Sequence, residues 1–190
     1  GGGVPLAAVP LSVTVPPGSS THRLTATLSQ PHAWSVEDPF LYTAVVRLAS
    51  SGPATVAADA RVTRFGFRDF RVEDGFFLLN GKRLFLKSTH TGNHFPIGQA
   101  IPLDPDFMRR DMLYAKACGF NTVRFIAGLA WPEQLDCCDE IGLMVYEESH
   151  AGWCLEDSPR MKERFDRSTR EMIRRDRNHP CLTIWGLLNE

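Results

Sequence analysis

No stretch of this 190-residue sequence approaches the ~20 consecutive apolar residues that a membrane-spanning helix needs. Gly1-Gly2-Gly3-Val4-Pro5 offers no basic segment leading into an apolar core, so no targeting peptide is read there. Charge bias is equally absent: 21 Lys+Arg stand against 22 Asp+Glu, for a net charge of -1, and nucleic acid gains no electrostatic footprint. The five cysteines form no CxxC pair and no zinc-like spacing. Cys137 and Cys138 are adjacent, Cys118, Cys154 and Cys181 stand singly, and an odd number cannot pair within one chain. They read as buried reduced thiols, which fits a reducing compartment, although a signal peptide upstream would override that reading. A composition with 43% hydrophobic and 23% charged residues excludes a disordered tail or a collagen-like chain and fits an ordinary globular protein.

Two textures follow each other along the chain. From Val4 to about Arg64, short period-two runs alternate with turn residues: Leu11–Val15, Arg23–Leu28, Leu41–Leu48 and Ala54–Val62, separated by clusters such as Pro16-Pro17-Gly18 and Ser50-Ser51-Gly52-Pro53. Such spacing predicts four or five strands of an antiparallel, immunoglobulin-like β-sandwich. A hairpin with turns at Glu73-Asp74-Gly75 and Asn80-Gly81 comes next. Beyond Arg83, apolar strands alternate with helices. Leu84–Lys87 is read as a strand, Asp104-Pro105 as the N-cap and first position of a helix running to Cys118-Gly119, and Thr122–Ile126 as a strand. A helix from Pro132 to Gly142 and a strand at Leu143–Tyr146 follow. A longer helix then opens at Ser158-Pro159, with Met161, Phe165, Met172 and Ile173 on one stripe. Glu163/Arg167, Asp166/Arg170 and Glu171/Arg175 supply i,i+4 pairs on its exposed side. Cys181–Leu188 is the last strand.

This alternation implies a parallel sheet covered by helices, in a doubly wound fold or a (β/α)8 barrel. No G-x-G-x-x-G loop follows the first strand, so dinucleotide binding loses its usual support. Polar residues gather instead at the strand ends: His90, Asn93 and His94 after the first, Arg124 within the second, Glu147, Glu148 and His150 after the third, Asn189 and Glu190 after the fourth. Side chains collected at the carboxyl ends of parallel strands are what a barrel active site is made from.

Several blocks, in order, resemble glycoside hydrolase family 2, the β-galactosidase, β-glucuronidase and β-mannosidase group. They are Trp34-Ser35-Val36-Glu37-Asp38-Pro39-Phe40-Leu41-Tyr42, Arg64–Arg68, Phe77–Lys82, Gly119–Arg124, Cys138–Val145 and, most specific, Arg177 through Trp185 to Asn189-Glu190. The resemblance implies an immunoglobulin-like β-sandwich over residues 1–68, incomplete at its N-terminus, followed over residues 69–190 by the first half of a (β/α)8 TIM barrel. A full barrel takes ~250 residues, so the chain is expected to be a piece of a longer enzyme, inactive by itself.

Under that resemblance Glu190 is the general acid/base and Asn189 binds the sugar 2-hydroxyl. Arg124 supports the catalytic carboxylates, and Glu148 or its neighbour Glu147 closes the third strand. From their places after the strands, His94 is a candidate substrate contact, and Trp131 and Trp153 are either sugar-stacking platforms, Trp153 the candidate taken for substrate binding, or ordinary loop packing. The chemistry asks for these types independently: a poor leaving group needs a proton, and a second carboxylate must meet the oxocarbenium-like transition state. That nucleophile belongs to a later strand. Two blocks depart from the family: His90-Thr91-Gly92 replaces an Asn-Arg-His, and Ile126-Ala127-Gly128-Leu129 replaces a Ser-His-Tyr-Pro. Two alternatives are a non-catalytic carbohydrate-binding relative and another barrel glycosidase of the same clan. His90, His94, Glu147, Glu148 and His150 could also be combined as a metal site, without diagnostic spacing; no cofactor and no metal are expected. The expected partner is a carbohydrate substrate, with no nucleic acid and no membrane, and homo-oligomerisation of the full-length protein is left open.

Overall fold

A computed structural model describes residues 6–14, 17–49, 57–95, 98, 99, 102, 104, 106–150 and 157–189. By its internal contacts the chain divides into Gly1–His32 and Ala33–Glu190. The described residues of the first unit form no helix and no strand, contrary to the strands expected at Leu11–Val15 and Arg23–Leu28 (Val15 itself lies outside the described residues). Leu11, Val13 and Leu24 are exposed. Alternation specifies a half-buried strand only where a partner strand closes the ladder, and none of the described residues does so here.

In the second unit β1 (Tyr42–Ala49) and β2 (Ala57–Phe65) form an antiparallel hairpin with Tyr42 opposite Phe65. These are the strands of the expected sandwich that the described residues contain. Tyr42, Phe65 and Phe67 pack ring against ring at its base. A three-stranded antiparallel sheet follows: β3 (Phe70–Glu73), β4 (Phe76–Leu79) and β5 (Lys82–Leu84). Its two turns stand where the sequence places them. Asp74 and Gly75 have φ of 51° and 80°, Asn80 and Gly81 of 51° and 76°, the paired positive φ that a two-residue type I′ turn requires and that Asx-Gly supplies at little cost.

The parallel sheet contains β6 (Ser88–Thr91), β7 (Thr122–Phe125), β8 (Met144–Glu148) and β9 (Leu182–Gly186). Each strand pairs with the next in the order β6-β7-β8-β9. Helices α1 (Phe107–Ala117), α2 (Pro132–Ile141) and α3 (Met161–Asp176) make the crossovers. A doubly wound sheet reverses direction at a switch point; this order does not reverse, and a parallel sheet of this kind fits a partial barrel. The first barrel strand is Ser88–Thr91, not Leu84–Lys87. Residues 85–87 are tied instead to Asn121, which accepts from the Lys87 amide at 2.9 Å and donates to the Phe85 carbonyl at 2.9 Å. His90 therefore lies within the first strand rather than after it.

Helix α1 begins two residues later than expected, with Asp106 at its N-cap; Asp104 supports that turn from outside, its carboxylate accepting from the Asp106 amide at 2.9 Å. α2 begins and ends as read, closing on Gly142 at φ 71°. On α3, Met172 is buried but Ile173 is exposed. Its surface ion pairs are Lys162–Asp166 and Arg160–Glu163, while Arg175 turns inward, away from Glu171.

The core between sheet and helices gathers around Met112, Val123, Leu135, Val145 and Leu182. The Trp34 block clamps its rim. Trp34 is fully buried and its indole donates to the Asp139 carbonyl at 2.8 Å; Lys116 donates to the Val36 and Gly142 carbonyls at 2.8 and 2.7 Å. Arg68 donates to the Pro180 and Leu182 carbonyls. The Asp139 carboxylate accepts from the Cys181 amide at 2.9 Å and meets His179 Nδ1 at 2.6 Å. Burial lowers the His179 pKa, the contact with Asp139 raises it, and the rise prevails. Cys118, Cys137, Cys138 and Cys181 are free thiols, and burial pushes those of Cys138 and Cys181 well up.

Candidate active site

Register decides which side chains share the inner face of the sheet. His90 lies opposite Arg124, Arg124 opposite Tyr146, and Glu148, two residues beyond Tyr146, returns to the same face. Arg124 is the hub. Its Nε donates to Glu148 Oε1 at 2.6 Å, and Nη2 lies 2.5 Å from the same oxygen. Nη2 also donates to Asn189 Oδ1 at 2.8 Å. A guanidinium can hold two acceptors in one plane; an ammonium has no such fork. The second oxygen of Glu148 accepts from the Ala127 amide at 2.8 Å, at a backbone position with φ 50°. Glu148 is thus fully buried with both oxygens engaged. Asn189 is 4% exposed, and its buried Nδ2 has no partner among the described residues. A buried donor left unpaired costs free energy until something accepts from it, so Asn189 presents a donor ready for a ligand oxygen.

Glu147 points the other way, into the layer between sheet and helices. It accepts from the Ala130 amide at 2.9 Å and lies 3.4 Å from Arg175 Nη2. Arg175 is committed elsewhere, holding both oxygens of Asp176 at 2.7 and 2.9 Å. Burial and the neighbouring Asp176 charge therefore push the Glu147 carboxyl up to about 8. Of the two adjacent glutamates, Glu148 belongs to the inner cluster and Glu147 to the structural layer behind it.

Beside the cluster opens a cleft of about 630 Å³, lined by residues 90–94, 125–131, His150 and Arg175. Its walls are the two loops in which the sequence departs from the family blocks. Asn93 and Gln134 brace them: Gln134 Nε2 donates to Asn93 Oδ1 at 2.9 Å, and the Trp131 amide donates to Gln134 Oε1 at 2.9 Å. Asn93 Nδ2 reaches the Leu129 carbonyl at 3.1 Å. His94 is exposed on the cleft wall and outside the Arg124 hydrogen bonds. Glu190 and Trp153 lie outside the described residues. The alternative metal set does not converge: among the described residues, the one group of three or more such donors within 4.8 Å of one another is Asp136 and Asp139 of α2 with His179.

The sequence reading passed over Tyr146, Gly186, the Asn93–Gln134 pair and the amides of Ala127 and Ala130. The backbone amides carry no sequence signal. Tyr146 did carry one, since it stands two residues before Glu148 on a strand.

The model of glycosyl hydrolases family 2, TIM barrel domain, matches residues 70–190, and the model described as glycosyl hydrolases family 2 matches residues 7–68. The chain belongs to glycosyl hydrolases family 2. A β-galactosidase of Pectobacterium atrosepticum is 34% identical over 170 residues, covering 86% of this chain and 16% of the relative. The solved β-glucuronidase of Parabacteroides merdae is similar at 35% identity and a TM-score of 0.76, covering 86% of this chain and 20% of that one. A β-galacturonidase from Eisenbergiella tayi, solved bound to galacturonate, is similar at 35% identity and a TM-score of 0.74, covering 86% and 29%. This family 2 chain therefore spans less than a third of each of these relatives.

Proposed function

We propose that the chain is part of a retaining exo-β-glycosidase that removes terminal β-linked sugars, with Glu190 as general acid/base. The observation that supports this most is the Arg124–Glu148–Asn189 cluster, drawn from the carboxyl ends of β7, β8 and β9. It sets Asn189, with its unpaired Nδ2, directly before Glu190. In this reading Asn189 donates to the sugar 2-hydroxyl, a contact that strengthens in the transition state of retaining glycosidases. Arg124 orients Asn189 and Glu148, and Glu148 completes the pocket wall. His94, exposed on the wall of the cleft, contacts the substrate, and Trp153 supplies a stacking surface. Glu190 protonates the departing oxygen and then activates water, and a second carboxyl from another part of the full-length protein, ~5–5.5 Å away, is the nucleophile.

Three relatives act, by their names, on β-galactosides, β-glucuronides and β-galacturonides, and pyranosides of these kinds are the substrates to test first. The test uses the full-length protein. Glu190→Gln should abolish turnover of alkyl glycosides while retaining far more activity on aryl glycosides with activated leaving groups, which need little protonation. Equal losses on both would sink the acid/base assignment.

A further inference from the structure

Arg124 and Glu148 share their face of the sheet with a third polar side chain, Tyr146. The guanidinium carbon of Arg124 lies 5.2 Å from the centroid of the phenol ring, within the range of a cation–π contact. The Tyr146 phenol stands beside Glu148, and burial first, then the Glu148 carboxylate, raise it above its ordinary pKa. Tyr146 thus faces both members of the buried ion pair, its ring against Arg124 and its hydroxyl end beside Glu148 at Gly186.

The neighbouring strand is shaped around this ring. Between Val145 and Tyr146 the register with β9 shifts: Val145 pairs with Leu182 and Tyr146 with Ile184, so Thr183 is an extra residue. Because side chains alternate along a strand, a slip of one residue exchanges the two faces. In unbroken register Trp185 would stand beside Glu148. Past the bulge, Glu148 meets Gly186 instead, and Trp185 falls opposite Glu147. Bulges next to active sites commonly re-aim side chains in this way.

The residue so delivered has no room for a side chain. A Cβ at Gly186 would lie 2.5 Å from Tyr146 Cε2, 2.5 Å from Glu148 Cγ and 3.1 Å from Tyr146 Oη. Gly186 is not among the positive-φ glycines, so its backbone makes no demand for glycine; the demand is for space, and the phenol fills that space.

We infer that Tyr146 is a positioning residue of the glycosidase site: its ring supports Arg124, its hydroxyl holds Glu148, and Gly186 is kept bare by the Thr183 bulge to admit it. Through Arg124 this support reaches Asn189, so the inference rests on the glycosidase reading above. A misplacement of about 1 Å in such a constellation can cost on the order of 10²-fold in rate.

The test compares Tyr146→Phe and Tyr146→Leu in the full-length protein, assayed on aryl β-galactosides, β-glucuronides and β-galacturonides. Tyr146→Phe keeps the ring and removes the oxygen. It should lower kcat by about tenfold while KM stays within about twofold, the signature of an interaction that matters in the transition state, with an unchanged thermal midpoint. Tyr146→Leu removes the ring as well and should lower kcat further. Wild-type kcat in the Phe variant, with only a lowered midpoint in the Leu variant, overturns the inference. Glu190→Gln in the same assay separates the two claims: if it loses activity while Tyr146→Phe does not, only the role of Tyr146 fails. If Glu190→Gln matches wild type, or if no substrate turns over, the glycosidase reading fails with it.

Discussion

Replacing Glu147 with Gln should make the protein more stable at alkaline pH, an unusual outcome for a substitution at a fully buried charged residue. The carboxyl titrates at about 8 in the folded chain against an ordinary value of 4.5. A folded-state pKa above the unfolded one means that the folded state binds the proton more tightly. The associated stability is complete below pH 4.5 and is lost as the pH rises through 8. Each unit between those limits is about 1.4 kcal/mol, so ionising this group within the fold costs several kcal/mol. The causes are burial first and the Asp176 charge second; Arg175 grips Asp176 with two hydrogen bonds and meets Glu147 only at 3.4 Å. Glutamine imitates the protonated acid. Its oxygen can accept from the Ala130 amide as Glu147 Oε1 does, and its nitrogen replaces the oxygen that has no partner among the described residues. Thermal unfolding of the full-length wild type and the variant, run from pH 5 to pH 9, reads the effect. The midpoints should nearly coincide at pH 5, separate in favour of the variant as the pH rises towards 8, and differ by a constant amount above that. A difference independent of pH, or one that favours wild type as the pH rises, would refute the reasoning.

Two further substitutions, with a third as control, test how the Trp34 block and the α3–β9 turn are held to the barrel half. Asp139→Asn keeps an acceptor for the Cys181 amide but removes the charge facing His179; the loss should be about 1–3 kcal/mol. Because the His179 pKa is raised in the fold, its contribution is full below the unfolded value and fades as the pH rises through the folded one, so urea titrations should show a larger loss at pH 6 than at pH 9. Gly142→Ala combines a φ of +71° with a Cβ only 2.3 Å from the Val36 carbonyl oxygen, whereas Gly119→Ala meets a φ of +85° and open space. Gly119→Ala should cost about 1 kcal/mol for its backbone alone, and Gly142→Ala distinctly more, read as a lower thermal midpoint; equal losses would show that the approach to Val36 is unimportant.

What was legible in the sequence is what short-range chemistry dictates. Asp74-Gly75 and Asn80-Gly81 name their turns because few other residues tolerate paired positive φ, and Pro132 and Gly142 bound α2 by the same kind of constraint. Strand identity was less legible where it depends on partners. Ser88-Thr89-His90-Thr91 carries no apolar run, yet it is the first parallel strand, because β7 supplies its ladder. Leu11–Thr14 and Arg23–Leu28 carry the alternation and form no strand, because no described residue pairs with them. Arg175 reads as one end of a helical ion pair, since its two buried acidic neighbours are an adjacent residue and a residue on another element.

The site shows the same division more sharply. Period-two alternation requires that Glu147 and Glu148 face opposite sides of the sheet, but it does not say which side is inner. That choice is made by parity along the neighbouring strands: Arg124 shares its row with Tyr146, hence its face with Glu148, while Arg175 and Asp176 reach Glu147 from behind. Parity on β9 cannot be counted from the sequence at all, because Thr183 interrupts it. Counting straight back along that strand would aim Trp185 at Glu148 and fill the place of the phenol with an indole. The bulge reverses the count, leaves a glycine there, and carries the chain on so that Asn189 meets Arg124 at 2.8 Å.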